Sequence, residues 1–132
     1  MISKKLKTIT HVALIVIYLH GLEEIITGFY HNDSTMAFLG NYFNASASQF
    51  YWVSHVIWWV SLPILFIAVL KIKKLFWLMV VFGSVFFIEI HHVVKALFSM
   101  TYYPGMITAI IYPFIGFFYW RELINNFKKR KI

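Results

Sequence analysis

The chain has 132 residues, of which 61% are hydrophobic and 20% aromatic, with only 13% charged and a formal net charge of +7. A soluble domain would be about half apolar and about a quarter charged, so a water-surrounded globule is excluded and one compact membrane domain, 1–132, is expected. The chain has no cysteine, which removes disulfides, thiolate metal sites and cysteine nucleophiles from consideration.

The first apolar segment covers about 8–30 and follows Lys4, Lys5 and Lys7. No small-residue cleavage site succeeds it and "GLEEII" continues its apolar pattern, so it is expected to remain as a membrane span. It carries His20, Glu23 and Glu24. The next stretch, "HNDSTMAFLGNYFNASAS", has no Lys or Arg and is expected to hold a short helix on the membrane surface. Asn32-Asp33-Ser34 and Asn44-Ala45-Ser46 match glycosylation acceptors, a pattern common by chance. The second span, about 47–70, opens with Ser46 and Gln49 in capping-box spacing and contains His55 and Pro63. "KIKK" joins it to the third span, about 75–98, which contains Glu89, His91, His92 and Lys95. The fourth span, about 105–124, follows "YYPG" and contains Pro113; both internal prolines are expected to kink their helices. Tyr42, Tyr51, Trp52, Tyr102 and Tyr103 fit an aromatic belt at the outer surface.

Each segment is near the ~20 residues needed to cross a bilayer, and helices satisfy their own backbone groups where lipid cannot. Eleven of the twelve Lys and Arg fall in three groups at alternate ends of these segments: Lys4, Lys5 and Lys7; Lys71, Lys73 and Lys74; Arg121, Lys128, Lys129, Arg130 and Lys131. The expectation is an all-α, integral membrane four-helix bundle with both termini cytoplasmic, multi-pass in the cell membrane. Basic residues so distributed argue for a lipid bilayer and against nucleic acid as partner. A homodimer stays open.

Ionisable groups inside a span are costly, so they mark function by default. Counting ~1.5 Å per residue from the cytoplasmic ends puts His20 near 18 Å, Glu24 near 24 Å, His55 near 22 Å, Glu89 near 21 Å and His92 near 26 Å. Residues from three helices of alternating direction thus share one level in the outer half of the bilayer, and Thr108 of the fourth reaches it. His20, Glu23 and Glu24 share a helix face, as do Glu89 and His92, whereas His91 is turned by about 100° from His92, so at most one of the two is central. Imidazole and carboxylate together form a ligand set for zinc, iron or manganese. Glu89-x-x-His92 has the spacing of di-iron carboxylate bundles, with "HGLEE" as a mirror-order counterpart. The expected divalent-metal ligands are His20, Glu23, Glu24, His55, Glu89 and His92. Acid–base chemistry without metal, or a structural hydrogen-bond network, are the alternatives. Lys95 is expected to reach the interface. Free amides at the helix start after "YYPG" could hold an anionic group; the alternative is a shaped loop with aromatic anchors.

"HGLEE" at 20–24 and "YYPG" at 102–105 together resemble the HXXEE family of small membrane proteins, marked by H-x-x-E-E, a further histidine and Y-x-P-G. His20, Glu23 and Glu24 match the first motif, Tyr102, Pro104 and Gly105 the last, and His92 or His91 the histidine between. The resemblance implies an integral membrane protein and supplies no reaction; it does not cover His55 or Glu89. The first functional expectation is a metal-dependent membrane enzyme, hydrolase or oxidoreductase, with Glu23 or Glu24 as general base and a lipid or outer-leaflet small molecule as substrate. The others are a proton- or metal-handling transporter or binding subunit, and an interaction protein whose polar network only fixes helix packing.

Overall fold

A computed structural model describes residues 2–129. Arg130 and Lys131 of the last basic group, and the side chain of Asn32 in the first glycosylation-type triplet, lie outside the described residues. The described residues form helices and no strand, and four of the helical stretches are long and apolar enough to cross a membrane.

Helix α1 (Lys4–Thr27) is opened by Ser3, whose hydroxyl accepts the Leu6 amide at 3.1 Å. It ends at Gly28, in the left-handed region at φ 70°, whose amide returns to the carbonyls of Glu24 and Ile25. The span therefore stops short of the expected position 30, because the left-handed turn ends the helix there. One stripe of α1 is buried, through Leu6, Thr10, Ala13, Ile17, His20 and Glu24, while Ile26 is 81% exposed. Polar groups inside and bare isoleucine outside are the pattern of a helix bathed in lipid.

The segment between the first and second spans folds as two short helices, α2 (Phe29–Asn32) and α3 (Ser34–Tyr42), with Asp33 between them accepting the Met36 amide at 2.9 Å as N-cap. Helix α4 (Ala47–Lys71) begins with the expected capping box: Ser46 Oγ accepts the Gln49 amide at 3.1 Å and Gln49 Oε1 accepts the Ser46 amide at 2.9 Å. It continues unbroken through Pro63. Proline has no N–H to offer the carbonyl four residues back, which is that of Trp59. The Tyr18 hydroxyl of α1 donates to this carbonyl at 2.5 Å instead. A neighbouring helix thus replaces the missing donor, as membrane helices require.

The third span comprises a 3-10 turn (Lys73–Trp77), α5 (Leu78–Ile88) and α6 (Ile90–Ser99), with Glu89 at the junction. Glu89 has ψ −12°, and its carbonyl accepts the His92 amide, three residues on, at 3.3 Å. The helix tightens at a candidate ligand, a position where such irregularities often serve function. The fourth span is α7 (Met106–Ala109) followed by α8 (Tyr112–Lys128), the break falling just before Pro113. This proline lies in the first turn of α8, where its missing N–H is tolerated, and not inside a continuous helix.

The apolar core runs from Leu6, Phe66, Met79 and Leu123, at the end of the bundle where the basic groups gather, to Ala109 and Tyr112 beside the polar residues. Asn126 binds the Ser3 amide at 2.9 Å, Lys5 pairs with Glu122 at 3.1 Å, and Phe76 packs on Phe127. These contacts bring the starts of α1 and of the third span to the end of α8. The polar residues lie together toward the opposite end.

Candidate metal centre

Helix α1 presents His20 and Glu24 one turn apart on its buried face, and the Glu89 junction presents Glu89 and His92. The four side chains meet, with one ligand atom from each lying within 4.8 Å of all the others. His20 Nε2 is 3.0 Å from Glu89 Oε2 and 3.7 Å from Glu24 Oε1; His92 Nε2 is 3.1 Å from both of those oxygens. Ligands about 2.0–2.1 Å from a tetrahedral ion stand about 3.3 Å from one another, so the spacing fits a first-row divalent ion.

The far nitrogen of each imidazole is fixed by the fourth span and its leading loop. His92 Nδ1 is 2.5 Å from the Pro104 carbonyl, which can only accept, so this nitrogen carries the proton. The Thr108 hydroxyl is 2.5 Å from Glu23 Oε2 and 2.7 Å from His20 Nδ1. It gives its single proton to the carboxylate and accepts from the imidazole, so His20 Nδ1 is protonated too. Both Nε2 atoms are left to face Glu24 and Glu89. A carbonyl or carboxylate relay behind a ligand histidine is the usual means of fixing its tautomer.

Glu23 stands apart from this group, as the first departure from expectation. Its Oε1 accepts the Tyr102 hydroxyl at 2.7 Å and the Ile107 amide at 3.0 Å; its Oε2 accepts the Thr108 amide at 2.8 Å along with the Thr108 hydroxyl. Both oxygens are spent on the start of α7. The amides after "YYPG" hold an anionic group as the motif allowed, but that group is the protein's own glutamate. Neighbouring residues on a helix are about 100° apart, enough to turn Glu23 to α7 and Glu24 to His92.

His55 also lies outside the four. Its Nδ1 is 3.8 Å from Glu24 Oε2, and its buried Nε2 has no hydrogen-bond partner. Gly21 makes room for it, since a Cβ there would fall 2.2 Å from His55 Nε2. Gly105 is required twice over. It sits at φ 87°, and a Cβ would meet His92 Nδ1 at 2.7 Å and His20 Cε1 at 2.8 Å. Of the two adjacent histidines, His92 is fully buried in the centre, whereas His91 turns its Nδ1 to the Ile88 carbonyl at 2.8 Å.

The expected aromatic belt is only partly one. Tyr42 and Trp52 are exposed, but Tyr51 is buried with its hydroxyl 3.1 Å from Glu24 Oε2. Tyr102 serves Glu23, and Tyr103 donates to Asp33 Oδ2 at 2.6 Å. In an apolar setting a tyrosine hydroxyl is drawn to the nearest carboxylate. Lys95, expected to reach the interface, pairs with Asp33 of the segment between the first two spans. Burial of the Asp33 carboxyl works to raise its pKa, but the bonds from Lys95, Tyr103 and the Met36 amide outweigh it and bring it down to about 2. Tyr51 was readable as a partner of the site from its place four residues before His55; the carbonyl of Pro104 carries no side-chain signal at all.

Two cavities flank the cluster. The larger, 510 Å³, lies on the side of α2 and α3 and is lined by Asp33, Ser54, His91 and Lys95 as well as Glu24 and Glu89. The smaller, 150 Å³, reaches inward past Ile17, Trp59, Leu62 and Tyr112. Both include Glu24, His55 and Glu89 in their walls.

A family model described as "Protein of unknown function with HXXEE motif" matches residues 11–119. No curated protein and no solved structure matches the chain. The matched region contains His20, Glu23, Glu24, His92 and the Tyr102–Gly105 turn, and with it the whole of the cluster; the chain belongs to the HXXEE family.

Proposed function

We propose that the chain is a membrane-embedded protein that binds a divalent metal through His20, Glu24, Glu89 and His92, and that the centre serves as a metal-dependent enzyme in the outer half of the bilayer. The observation that carries this reading is the convergence of four ligand atoms within 4.8 Å. Charge favours it as well: two carboxylates facing two neutral imidazoles leave a double negative charge in a low-dielectric site, which one divalent ion would cancel. Such an ion would supply a Lewis acid and lower the pKa of a water at neutral pH. Glu24 and His55, which border both cavities, are then the groups able to take up or return a proton, while Glu23 positions α7 and, through Thr108, His20. The larger cavity offers a lipid or outer-leaflet small molecule a way to the centre. The basic ends of the spans support a cytoplasmic placement of both termini in the cell membrane.

A second reading has its own support, because the Nε2–carboxylate distances of 3.0–3.1 Å are also those of hydrogen bonds, so a network filled with protons would be satisfied without metal. The two separate on metal content. Wild type, His20→Ala and Glu89→Gln, purified in mild detergent and loaded with zinc, iron(II) or manganese, are measured for metal per chain by mass spectrometry. About one ion in the wild type and a large loss in both variants is expected. An empty wild type after loading would leave the proton network as the answer, and full occupancy in both variants would show that other residues bind the ion.

A further inference from the structure

A groove of 580 Å³, larger than either cavity beside the cluster, runs along α8 where it packs against the third span. Its floor is the contact between the two helices. A Cβ on Gly116 would fall 2.9 Å from the Cβ of Phe86, and the Trp120 indole donates to the Gly83 carbonyl at 3.2 Å. Phe87 and Phe117, 62% and 63% exposed, wall it on the outside of the bundle. One end is at Tyr112, whose ring packs edge-on against His20 of the cluster; the other is at Arg121 and Asn125. From Tyr112 to Asn125, at ~1.5 Å rise per residue, the groove is about 20 Å long. Half of a bilayer's ~30 Å hydrocarbon core is about 15 Å, so the groove is long enough to follow one leaflet through its depth.

Charge appears at one end of this apolar length. Phe117, Arg121, Asn125 and Lys128 succeed one another at helical spacing, so they share one face of α8, and all four are exposed. Among the described residues Arg121 has neither ion pair nor hydrogen bond. The chain has five acids: Glu23, Glu24, Asp33 and Glu89 lie toward the opposite end, and Glu122 pairs with Lys5 at 3.1 Å. A second copy laid along the groove in the same orientation would therefore bring no free carboxylate to Arg121. A small water-soluble anion would leave the apolar length uncovered. We infer that the groove holds an acyl chain of an anionic phospholipid, from the leaflet on the side of the basic groups, with its phosphate at Arg121 and Lys128. The fork of a guanidinium matches two phosphate oxygens, and basic pockets between membrane helices take up anionic headgroups in this way. The inference does not rest on the metal reading.

The test uses the full chain in phosphatidylcholine vesicles containing phosphatidylglycerol. A phosphatidylglycerol with a photoactivatable diazirine at the end of one acyl chain serves as probe, and the labelled residues are mapped by mass spectrometry. Labelling is expected at the deep end of the groove, around Phe87, Ile90 and Tyr112. Arg121→Gln should lower it about fivefold, the worth of one basic contact to an anionic headgroup, and should leave the fold intact because Arg121 is exposed and unpaired. Lys71→Gln removes the same charge from the end of α4, away from the groove, and should change nothing. The same diazirine chain on phosphatidylcholine should label the wild type no more than the anionic probe labels Arg121→Gln. Equal labelling by the two headgroups, equal losses in Arg121→Gln and Lys71→Gln, or labelling spread over the exposed face of α4 would each overturn the inference. Disulfides between chains carrying Phe117→Cys, with no lipid label in the groove, would give it to a second copy instead.

Discussion

Glu23 and Glu24 are neighbours in sequence with separate tasks, and replacing each by glutamine distinguishes them. In Glu23→Gln one acceptor oxygen becomes an NH2 group facing the donors at the start of α7. The lost side had accepted either the Tyr102 hydroxyl and the Ile107 amide at 2.7 and 3.0 Å, or the Thr108 amide and hydroxyl at 2.8 and 2.5 Å. A hydrogen bond to a charged group contributes about 1.5–3 kcal/mol, and the site is partly open, so a loss of about 2–4 kcal/mol of stability is expected. Glu24→Gln leaves α7 untouched but removes a ligand oxygen 3.1 Å from His92 Nε2. Disturbing the groups behind a ligand lowers metal affinity about 10–100-fold. Glu23→Gln should therefore keep stoichiometric zinc at high metal concentration with weakened affinity, and melt earlier in detergent. Glu24→Gln should lose zinc at any accessible concentration. Thermal unfolding and metal titration of both variants provide the measurement. If Glu23→Gln abolished zinc binding while melting like the wild type, Glu23 would be a ligand and its assignment to α7 wrong.

The cytoplasmic placement of both termini is open to single cysteines at Lys73 and Asn41, the chain having no native thiol; an impermeant reagent applied to intact cells should label 41 only, and labelling of 73 would reverse the topology. Tyr18→Phe should cost about 1–2 kcal/mol by stranding the Trp59 carbonyl, and should cost almost nothing in a Pro63→Ala background, where an amide at 63 satisfies that carbonyl; an unchanged cost would dismiss the replacement. The bonds to Asp33 depress its pKa from 3.8 to about 2, so their stabilisation is full above about pH 4 and fades as pH falls toward 2. Hydrogen exchange of residues 29–46 should accelerate over that range in wild type, and the acceleration should be absent in Asp33→Asn. Lys95→Gln should loosen the same segment and leave metal content intact; a collapse of metal content would make Lys95 a counter-ion of the centre.

The span count, the capping box at Ser46 and the common level of His20, Glu24, Glu89 and His92 were legible because each depends on a fixed rise or spacing along a single helix. The jobs of Glu23 and Tyr102 were not. A face shared by i, i+3 and i+4 is wide enough to take in both glutamates of "EE", and only the position of α7 decides that Glu23 turns aside. The hydroxyl of Tyr102 finds Glu23 across a loop 79 residues away in sequence, a distance over which helical periodicity says nothing. His55 shares the depth of the ligands, but depth does not fix rotation between helices, and the approach allowed by Gly21 leaves it 3.8 Å from Glu24 without joining the four. The early end of α1 at Gly28 was within reach, since glycine after an apolar run is a helix-stop signal.

The protons of the two imidazoles lead to one further expectation. His20 and His92 each keep a proton on Nδ1, held by Thr108 and by the Pro104 carbonyl. The contacts of their Nε2 atoms with Glu89 Oε2, at 3.0 and 3.1 Å, each need a proton when no ion is present, since two lone pairs would otherwise face one another. A cluster with those protons is neutral, and one with a divalent ion in their place is neutral as well. Exchange between the two states keeps the charge in the bilayer constant, which a low-dielectric site strongly favours. Metal binding should then release about two protons per ion, and apparent affinity should fall steeply with acidification. Calorimetric titration with zinc in buffers of different ionisation enthalpy counts the protons. Release of none would mean that the carboxylates already stand unprotonated beside neutral imidazoles, and the exchange of two protons for one ion would be refuted.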